Sequence, residues 1–453
     1  MDEITHAIAD YASYLRYEAI DSDSRHAAIQ RLIDSLGCAL GAHDCEEAKI
    51  GRRVAAGQGA GHYAGRILLH GDLLPLESAA FVNTAMIRNL DFNDRYPGGH
   101  PSDCLGALLA FAGARPVSGA RFIAAMVVTY EIFARLSDAA KLSRRGWDQG
   151  YAVAVATAAG LANLLDLDLA HAAHAIGIAA TSNLPLRVTR SGELTPWKNA
   201  ATAYAVRNGA FATLLAAEGM VGPGHAFDGR NGLFDNVTGP FALAAFPNDG
   251  GVPLTPRVQL KYWPIETNGQ PLVWAALDLR QRIAADQIAE IECFTSKFTW
   301  FEIGSEPEKW DPKTRETADH SLPYIFARSF LDGPLTQHSF SEAAVRDPDL
   351  RPLMAKIKVT VDEEIERVLA ETVILRVRVT ARDGTRYDAE VINPLGHPDN
   401  PMRDEHINQK FLGLAEPVLG ERRSREALDA WWHVAGWEEL LPLLKSVAVA
   451  PTG

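Results

Sequence analysis

The chain has 453 residues, of which 47% are hydrophobic and 22% are charged, and this combination predicts a globular protein with two domains. The formal net charge of −13 argues against nucleic acid and against an anionic membrane surface as partners. It leaves room for a small anionic ligand, provided that the binding pocket is locally basic.

Apolar residues recur at helical spacing through the first 265 residues, and clusters of Gly, Pro and Asp separate the helices. Between residues 24 and 41, Gly37 and Gly41 lie beside the apolar face, where small residues allow another helix to pack closely. The helices predicted from this pattern span residues 24–41, 76–90, 104–113, 119–137, 150–165, 168–181, 197–219 and 269–284.

The pattern changes after about residue 286, where β-branched and aromatic residues alternate as they do in strands. Asp383-Gly384 separates two such runs and predicts a hairpin. The predicted strand segments are IAEIECFTSKFTWFEI, MAKIKVTVDEE, TVILRVRVTARDG and TRYDAEVINP, with a helix over 321–333 between the first two. Helical spacing returns near the end, with Asp404 as a cap and a further helix over 424–446.

This order predicts a mostly α fold with an interrupted helical domain. A large all-helical domain is built from both chain ends, residues 1–265 and 404–453. A smaller α+β lid domain, residues 266–403, is inserted between them.

Neither a cofactor nor a metal is predicted. The segment GQGAGHYAG lacks the glycine order of a dinucleotide-binding loop and follows no clear strand. His171 and His174 are three residues apart, but no third ligand is in view. The four cysteines show neither metal-ligand nor cluster spacing, so reduced thiols are expected.

The N-terminal segment has acidic residues and no apolar core of the kind found in signal peptides, so a cytoplasmic protein is expected. The longest apolar run, YAVAVATAAGLANLL, has about 15 residues and is shorter than the roughly 18 needed to cross a bilayer. No membrane partner is therefore expected.

Polar residues concentrate at the junction of two apolar helices, in the segment LDFNDRYPGGHPSD, residues 90–103. Gly98 and Gly99 allow the backbone to approach a ligand closely, and Asp91, Arg95 and His100 flank them. The alternative is that Asp91 and Asp103 only cap helices.

Three further segments carry candidate residues. Arg187, Arg190 and Lys198 surround a Ser-Gly turn at the start of a helix rich in small residues, and suit carboxylate binding unless they form a solvated basic face. Lys261 lies in QLKYWPIETNGQP, where the two predicted domains meet, and domain junctions are common places for pockets. The alternative is that Lys261 is an ordinary surface lysine.

The last segment is RETADHSLPYIFA, which places Asp319, His320, Ser321 and Tyr324 at the entrance to a helix. A cap at Asp319 or Ser321 and a core position for Tyr324 are the alternatives. Together the four segments indicate a pocket with several cations, carboxylates, a histidine and a tyrosine. Such a pocket suits proton transfer beside a bound carboxylate, as in elimination, decarboxylation or epimerisation.

At these segments the sequence resembles the MmgE/PrpD family, which includes 2-methylcitrate dehydratase, cis-aconitate decarboxylase and an iminodisuccinate epimerase. The matching motifs are LDFNDRYPGGHPSD, the run from Arg190 to Ala201, the run from Gly219 to Gly232, and Lys261 to Pro264. RETADHSLPYIFA and RGWDQGYAVAVATAAGLANLL most resemble the 2-methylcitrate dehydratase branch.

The resemblance implies a helical domain from both chain ends, a smaller lid, a homodimer and no cofactor. Its catalytic residues correspond to Asp91, His100, Lys198, Lys261 and Tyr324 in this sequence. We add substrate-binding roles for Arg95, Arg190, Asp148 and His320.

The chain departs from the decarboxylase-like members at three places. Arg95 stands where they carry Thr, Trp147-Asp148 replaces a histidine, and a histidine after Lys261 is absent, with Glu266 or Gln270 nearby. These departures disfavour decarboxylation, and the extra cation at Arg95 favours a substrate with several carboxylates.

The resulting prediction is a cytoplasmic hydro-lyase of propionate catabolism. It dehydrates 2-methylcitrate, or a related hydroxy tricarboxylate, to 2-methyl-cis-aconitate by acid/base elimination without a cofactor. His100 and Asp91 form one proton-transfer set, and Tyr324 or Lys261 the other. The alternatives are a sister activity on the same fold, as decarboxylase or epimerase, and a non-catalytic helical binding protein.

Overall fold

The computed structural model describes residues 1–369 and 372–449. Nine helices form the part before residue 218. They are α1 Glu3–Tyr14, α2 Ser22–Gly41, α3 Glu46–Ala55, α4 Leu76–Arg88, α5 Leu105–Ala112, α6 Gly119–Ala140, α7 Gly150–Leu164, α8 Leu169–Ser182 and α9 Trp197–Ala217. A small antiparallel pair, β1 Ala64–Arg66 and β2 Leu73–Pro75, precedes α4.

The middle of the chain adds short helices and a four-stranded sheet. The helices are α10 Gln270–Leu279, α11 Lys297–Ile303, α12 Arg315–Ala318, α13 Leu322–Asp332, α14 Glu342–Val345, α15 Arg351–Met354 and α16 Glu363–Val368. The strands are β3 Ile288–Thr295, β4 Ile357–Val361, β5 Ile374–Ala381 and β6 Arg386–Ile392. Their order is β4-β3-β5-β6, with β4 parallel to β3 and the other pairs antiparallel.

Three helices complete the described chain: α17 Asp404–Leu419, α18 Glu421–Trp432 and α19 Leu441–Ser446. Helix α17 packs on α2 through the two small residues that the sequence singled out. A Cβ on Gly41 would lie 2.7 Å from Leu414 Cδ2, and one on Gly37 would lie 3.3 Å from the backbone of Phe411. The two chain ends therefore pack against each other, and the mostly α fold class is confirmed.

Buried apolar residues form two main clusters. The larger draws on residues between Ile4 and Leu260 and again from Met402 to Val447. The second draws on residues from Trp263 to Ala389. The chain passes from one cluster to the other around Lys261.

Three predictions of local structure were wrong. Residues 297–303 form helix α11 instead of continuing the strand, because Ser296 caps a helix there by accepting from Thr299 N. Asp404 is the first residue of α17, and its carboxylate accepts from Gln30 Nε2 on α2 instead of capping. The helix predicted over 424–446 is broken between α18 and α19.

Within the described ranges, no helix is both long enough and apolar enough to cross a membrane.

Candidate active site

Asp91 lies just after the end of α4, with a left-handed backbone (φ 48°) that non-glycine residues seldom adopt. Its side chain is 1% exposed, and three cations surround it. Arg88 forms an ion pair with Oδ1, Lys261 Nζ lies 3.0 Å from Oδ2, and Lys198 Nζ lies 3.4 Å from Oδ1. Burial raises the pKa of Asp91, but these cations outweigh it and hold the pKa well below its usual range. Asp91 is therefore an ionised anchor for cations and not a helix cap.

The two lysines reach Asp91 from different parts of the chain. Lys198 stands in the first turn of α9, and Lys261 stands where the chain crosses between the two apolar clusters. Neither is a surface lysine, because their side chains are at most 1% exposed. Burial lowers the pKa of both, and that of Lys261 falls to about 8 although Asp91 opposes the shift.

His100 follows the Gly98-Gly99 turn, in which both glycines have positive φ, 101° and 154°. Its Nδ1 hydrogen-bonds the backbone carbonyl of Asp94. Since a carbonyl only accepts, the hydrogen lies on Nδ1 and Nε2 keeps its lone pair. Burial, followed by Arg88 and Lys261, lowers the pKa of His100 well below its usual value. His100 is a neutral imidazole with a fixed tautomer.

His320 lies just before α13 and is a second neutral imidazole. Its Nδ1 contacts Asp319 Oδ1, while Ser321 caps the helix by accepting from Tyr324 N. Burial and then Lys198 lower the pKa of His320 to about 4, against the opposing effect of Asp319. Because the carboxylate is an acceptor, the structure favours a hydrogen on Nδ1 and a free lone pair on Nε2 here as well.

Arg190 and Asp148 form one unit of the site. Arg190 Nε lies 2.9 Å from Asp148 Oδ1, and the hydroxyl of Thr189 donates to Oδ2 at 2.8 Å. Burial raises the pKa of Asp148, but Arg190 and Thr189 bring it below its usual value. Asp148 is thus better described as holding Arg190 than as meeting an anionic ligand. Arg187 pairs in the same way with Glu302 on α11.

Arg95 differs from the other cations. Its backbone is fixed by mutual hydrogen bonds with Gln259, at 2.7 and 2.8 Å. Its guanidinium makes neither an ion pair nor a hydrogen bond with any residue that the structure describes. Arg95 is therefore available for an anionic ligand.

These groups border one cavity of about 80 Å³ between the two parts of the molecule. Its lining residues are Arg88, Asp91, Arg95, Gly98, Gly99, His100, Ser143, Asp148, Gln149, Arg187, Arg190, Lys261, Glu266, Thr267, Phe298, Glu302 and His320. Five cationic side chains and four carboxylates are among them, so the cavity is less basic than expected. Arg95 carries the unpaired positive charge.

Two expected catalytic residues are not on the cavity wall. Lys198 touches Asp91 and Asp319 from behind, at 3.4 and 3.9 Å. Tyr324 is buried in the second apolar cluster, where its hydroxyl donates to the carbonyl of Ser339 at 2.6 Å and its ring lies beside Phe340. The core interpretation of Tyr324 therefore agrees with the structure, and its position does not support a role in proton transfer.

Sequence reasoning did not single out six of the residues that line the cavity: Arg88, Ser143, Gln149, Thr267, Phe298 and Glu302. Arg88 is a fully buried charge in the run AMIRNL, whose only other polar residue is Asn89, and a charge in such a largely apolar run is a usable signal of a paired site. Gln149 is 6% exposed, lines the cavity, and leaves both polar side-chain atoms without a partner among the described residues. Nothing in the local sequence distinguishes Gln149 from any other residue at the start of a helix.

A metal-like grouping occurs within this cluster. One ligand-type atom from each of Asp91, Asp319 and His320 lies within 4.8 Å of the others. A divalent ion would need ligands whose negative charge is not already neutralised. Lys198 and Lys261 lie 3.0 to 3.9 Å from these carboxylates and neutralise that charge. We therefore do not assign a metal to these residues.

Similarity to known proteins extends over most of the chain. The model of the MmgE/PrpD N-terminal domain matches residues 6–244, and that of the MmgE/PrpD C-terminal domain matches residues 263–433. A 2-methylcitrate dehydratase from Cupriavidus necator is 29% identical, over 87% of this chain and 86% of that protein. One from Escherichia coli (strain K12) is 27% identical over the same shares. A cis-aconitate decarboxylase from Mus musculus is 26% identical over 76% of this chain and 73% of that protein.

Proposed function

The chain belongs to the MmgE/PrpD family, and we propose that it is a hydro-lyase that removes water from a small hydroxy polycarboxylate, with 2-methylcitrate as the first candidate. Relatives that are dehydratases and decarboxylases support a lyase. The observation that carries the proposal is the set of groups facing one cavity: an unpaired guanidinium, a buried ammonium and two neutral imidazoles.

Arg95 would hold the carboxylate next to the carbon that loses its proton, while Lys261, which donates two of its three hydrogens to Asp91, keeps one for the departing hydroxyl. As that proton leaves, negative charge develops on the carboxylate, and cations in a water-poor site stabilise the charge strongly. Arg190, which pairs with Asp148, would bind a second carboxylate. Lys198 does not line the cavity, and it would act on the substrate only indirectly, by its ion pair with Asp91.

Elimination needs a base for the carbon-bound proton and an acid for the departing hydroxyl. His100 and His320 are neutral imidazoles, so either has the lone pair that a base needs. Lys261, with a pKa of about 8, is a fitting acid near neutral pH. Asp91 is firmly ionised, and we propose that it positions the lysines instead of transferring a proton.

Decarboxylation is the second candidate, because a cis-aconitate decarboxylase is among the relatives. It would use the same carboxylate-binding cations but would break a carbon–carbon bond instead of a carbon–oxygen bond.

The test is to incubate the purified protein with 2-methylcitrate, citrate and cis-aconitate. Ultraviolet absorbance follows the unsaturated acid that dehydration forms, because its C=C bond is conjugated with a carboxylate. Released CO₂ is measured in parallel. We expect absorbance to rise with 2-methylcitrate and no CO₂ to appear. The Arg95→Met variant should lose about 10- to 100-fold in kcat/KM, corresponding to a charge-assisted hydrogen bond of about 1.5–3 kcal/mol.

Arg257→Met is the matched control, since Arg257 pairs with Asp399 on the surface, outside the cavity, and should leave the rate unchanged. If CO₂ is released from cis-aconitate and 2-methylcitrate is not dehydrated, the protein is a decarboxylase and not a hydro-lyase. Inertness toward all three acids would refute the proposed function.

A further inference from the structure

Two imidazoles face the cavity, and the geometry around them differs. We infer that His320, held by Asp319, is the base that takes the carbon-bound proton, and that His100 instead orients the departing hydroxyl. The inference rests on the proposed dehydration and assigns roles within it. The sequence had suggested only substrate binding for His320.

The partner of Nδ1 is the first difference. His320 contacts a carboxylate, Asp319 Oδ1, whereas His100 contacts only the backbone carbonyl of Asp94. An imidazole that accepts a proton becomes a cation, and a carboxylate on its other nitrogen both fixes the tautomer and stabilises that cation. A neutral carbonyl fixes the tautomer but stabilises the cation much less.

The surrounding charges are the second difference. Around His320, Asp319 and Asp91 favour a positive imidazolium, while Lys198 opposes it. Around His100, Arg88 and Lys261 oppose it, and Asp91 alone among the side chains favours it. Protonation is therefore easier at His320. A bound polycarboxylate, which adds negative charge, would reduce the remaining cost.

The step balances without any further reactant. His320 Nε2 takes the proton from the carbon, and the electron pair of that C–H bond forms the C=C bond. The C–O bond breaks, and Lys261 Nζ gives its proton to the departing oxygen, which leaves as water. The imidazolium then returns a proton to the Lys261 amine through solvent. His100 Nε2 accepts a hydrogen bond from the hydroxyl before it leaves.

Chemical rescue distinguishes a base from a structural residue. With 2-methylcitrate as substrate, His320→Ala should lower kcat by about 10²–10⁴-fold, the usual contribution of a positioned acid or base. Added imidazole should restore part of the rate, and substituted imidazoles of higher pKa should restore more. A residue needed only for packing would show no such dependence on the pKa of the added base.

Two variants serve as controls. In His320→Asn the side-chain amide can keep the hydrogen bond to Asp319, so the variant should fold normally and yet remain as slow as His320→Ala. His100→Ala should lose only about 10-fold, consistent with one hydrogen bond of about 1.4 kcal/mol, and should not be rescued by imidazole.

Rescue of His100→Ala but not of His320→Ala would overturn the assignment and make His100 the base. Absence of rescue in both variants, or normal turnover by His320→Asn, would overturn it as well. In all of these outcomes the wild-type protein still dehydrates 2-methylcitrate, so the proposed function stands. A wild-type protein that dehydrates no hydroxy polycarboxylate would remove both the function and the assignment.

Discussion

The carboxylate of Asp91 influences the protonation state of the lysines beside it. Its ionised carboxylate raises the pKa of Lys261, which burial otherwise lowers, and the balance is a pKa of about 8. An ammonium with this pKa is mostly protonated near neutral pH and loses its proton as pH rises through about 8. If the charged form both binds the substrate and donates the proton, activity depends on that titration.

The Asp91→Asn variant tests this dependence. We expect kcat/KM of the wild-type enzyme to fall as pH rises through about 8. Removing the negative charge lowers the pKa of Lys261 further, so the fall should move to lower pH in the variant. A pH profile of kcat/KM checks both statements.

Lys261→Arg provides the control, because a guanidinium stays charged throughout the accessible pH range, and the fall should disappear even if overall activity drops. An alkaline limb that is unchanged in Asp91→Asn would show that Lys261 does not govern it.

For single residues, the sequence was a good guide to which segments of the chain lie close together, but a poorer guide to the role of each side chain. Asp91, His100, Lys261 and His320 do border one cavity. Their roles depended on partners far away in sequence, such as the 170 residues that separate Lys261 from Asp91. Tyr324 could not be placed correctly, because a tyrosine one turn into an apolar helix has the same local pattern whether it faces a core or a cavity.

At the scale of elements, helices with strong apolar periodicity were predicted well, and α2, α6 and α7 begin and end within three residues of the expected positions. The Gly98-Gly99 turn and the Asp383-Gly384 hairpin were also predicted, since Gly384 does adopt the left-handed conformation (φ 88°). In these cases the local sequence alone determines the backbone.

Helix α11 shows where local reasoning fails. Its residues alternate as in a strand, yet the Ser296 cap and the end of sheet pairing at Thr295 favour a helix. Pairing partners for β3 come from β4 and β5, more than 60 residues further along the chain, and periodicity contains no information about where they end. The error matters for the site because α11 contributes Phe298 and Glu302 to the cavity.

At the scale of the whole molecule, the cavity of about 80 Å³ is small for a polycarboxylate, since pockets for small ligands usually measure about 300–1,000 Å³. Both parts of the chain supply its walls, so we expect them to move apart when a ligand enters. The ion pair between Arg187, in the segment before α9, and Glu302, on α11, connects two walls of the cavity and would have to separate or shift.

An apolar stripe on α9 supports the homodimer that the family resemblance implies, and we propose that a second copy of the chain covers it. Trp197, Tyr204 and Phe211 recur at about every second turn, and each is nearly half exposed, at 49%, 46% and 48%. Large aromatic residues on one exposed helix face are typical of interfaces.

The double variant Tyr204→Asp, Phe211→Asp should therefore be monomeric where the wild-type protein is dimeric, as measured by light scattering after size-exclusion chromatography. Val54→Asp, at a residue that is 73% exposed on α3, is the control and should leave the dimer intact. A monomeric wild-type protein, or a double variant that remains dimeric, would argue against this interface.

We propose that a small polycarboxylate binds in the cavity between the two parts of the molecule. A crystal structure with tricarballylate, a citrate analogue that has no hydroxyl to lose, tests it most directly. We predict that its carboxylates contact Arg95 and Arg190, with its carbon chain facing His320 and His100. Tricarballylate bound only elsewhere, with this cavity still closed at saturating concentration, would contradict the claim.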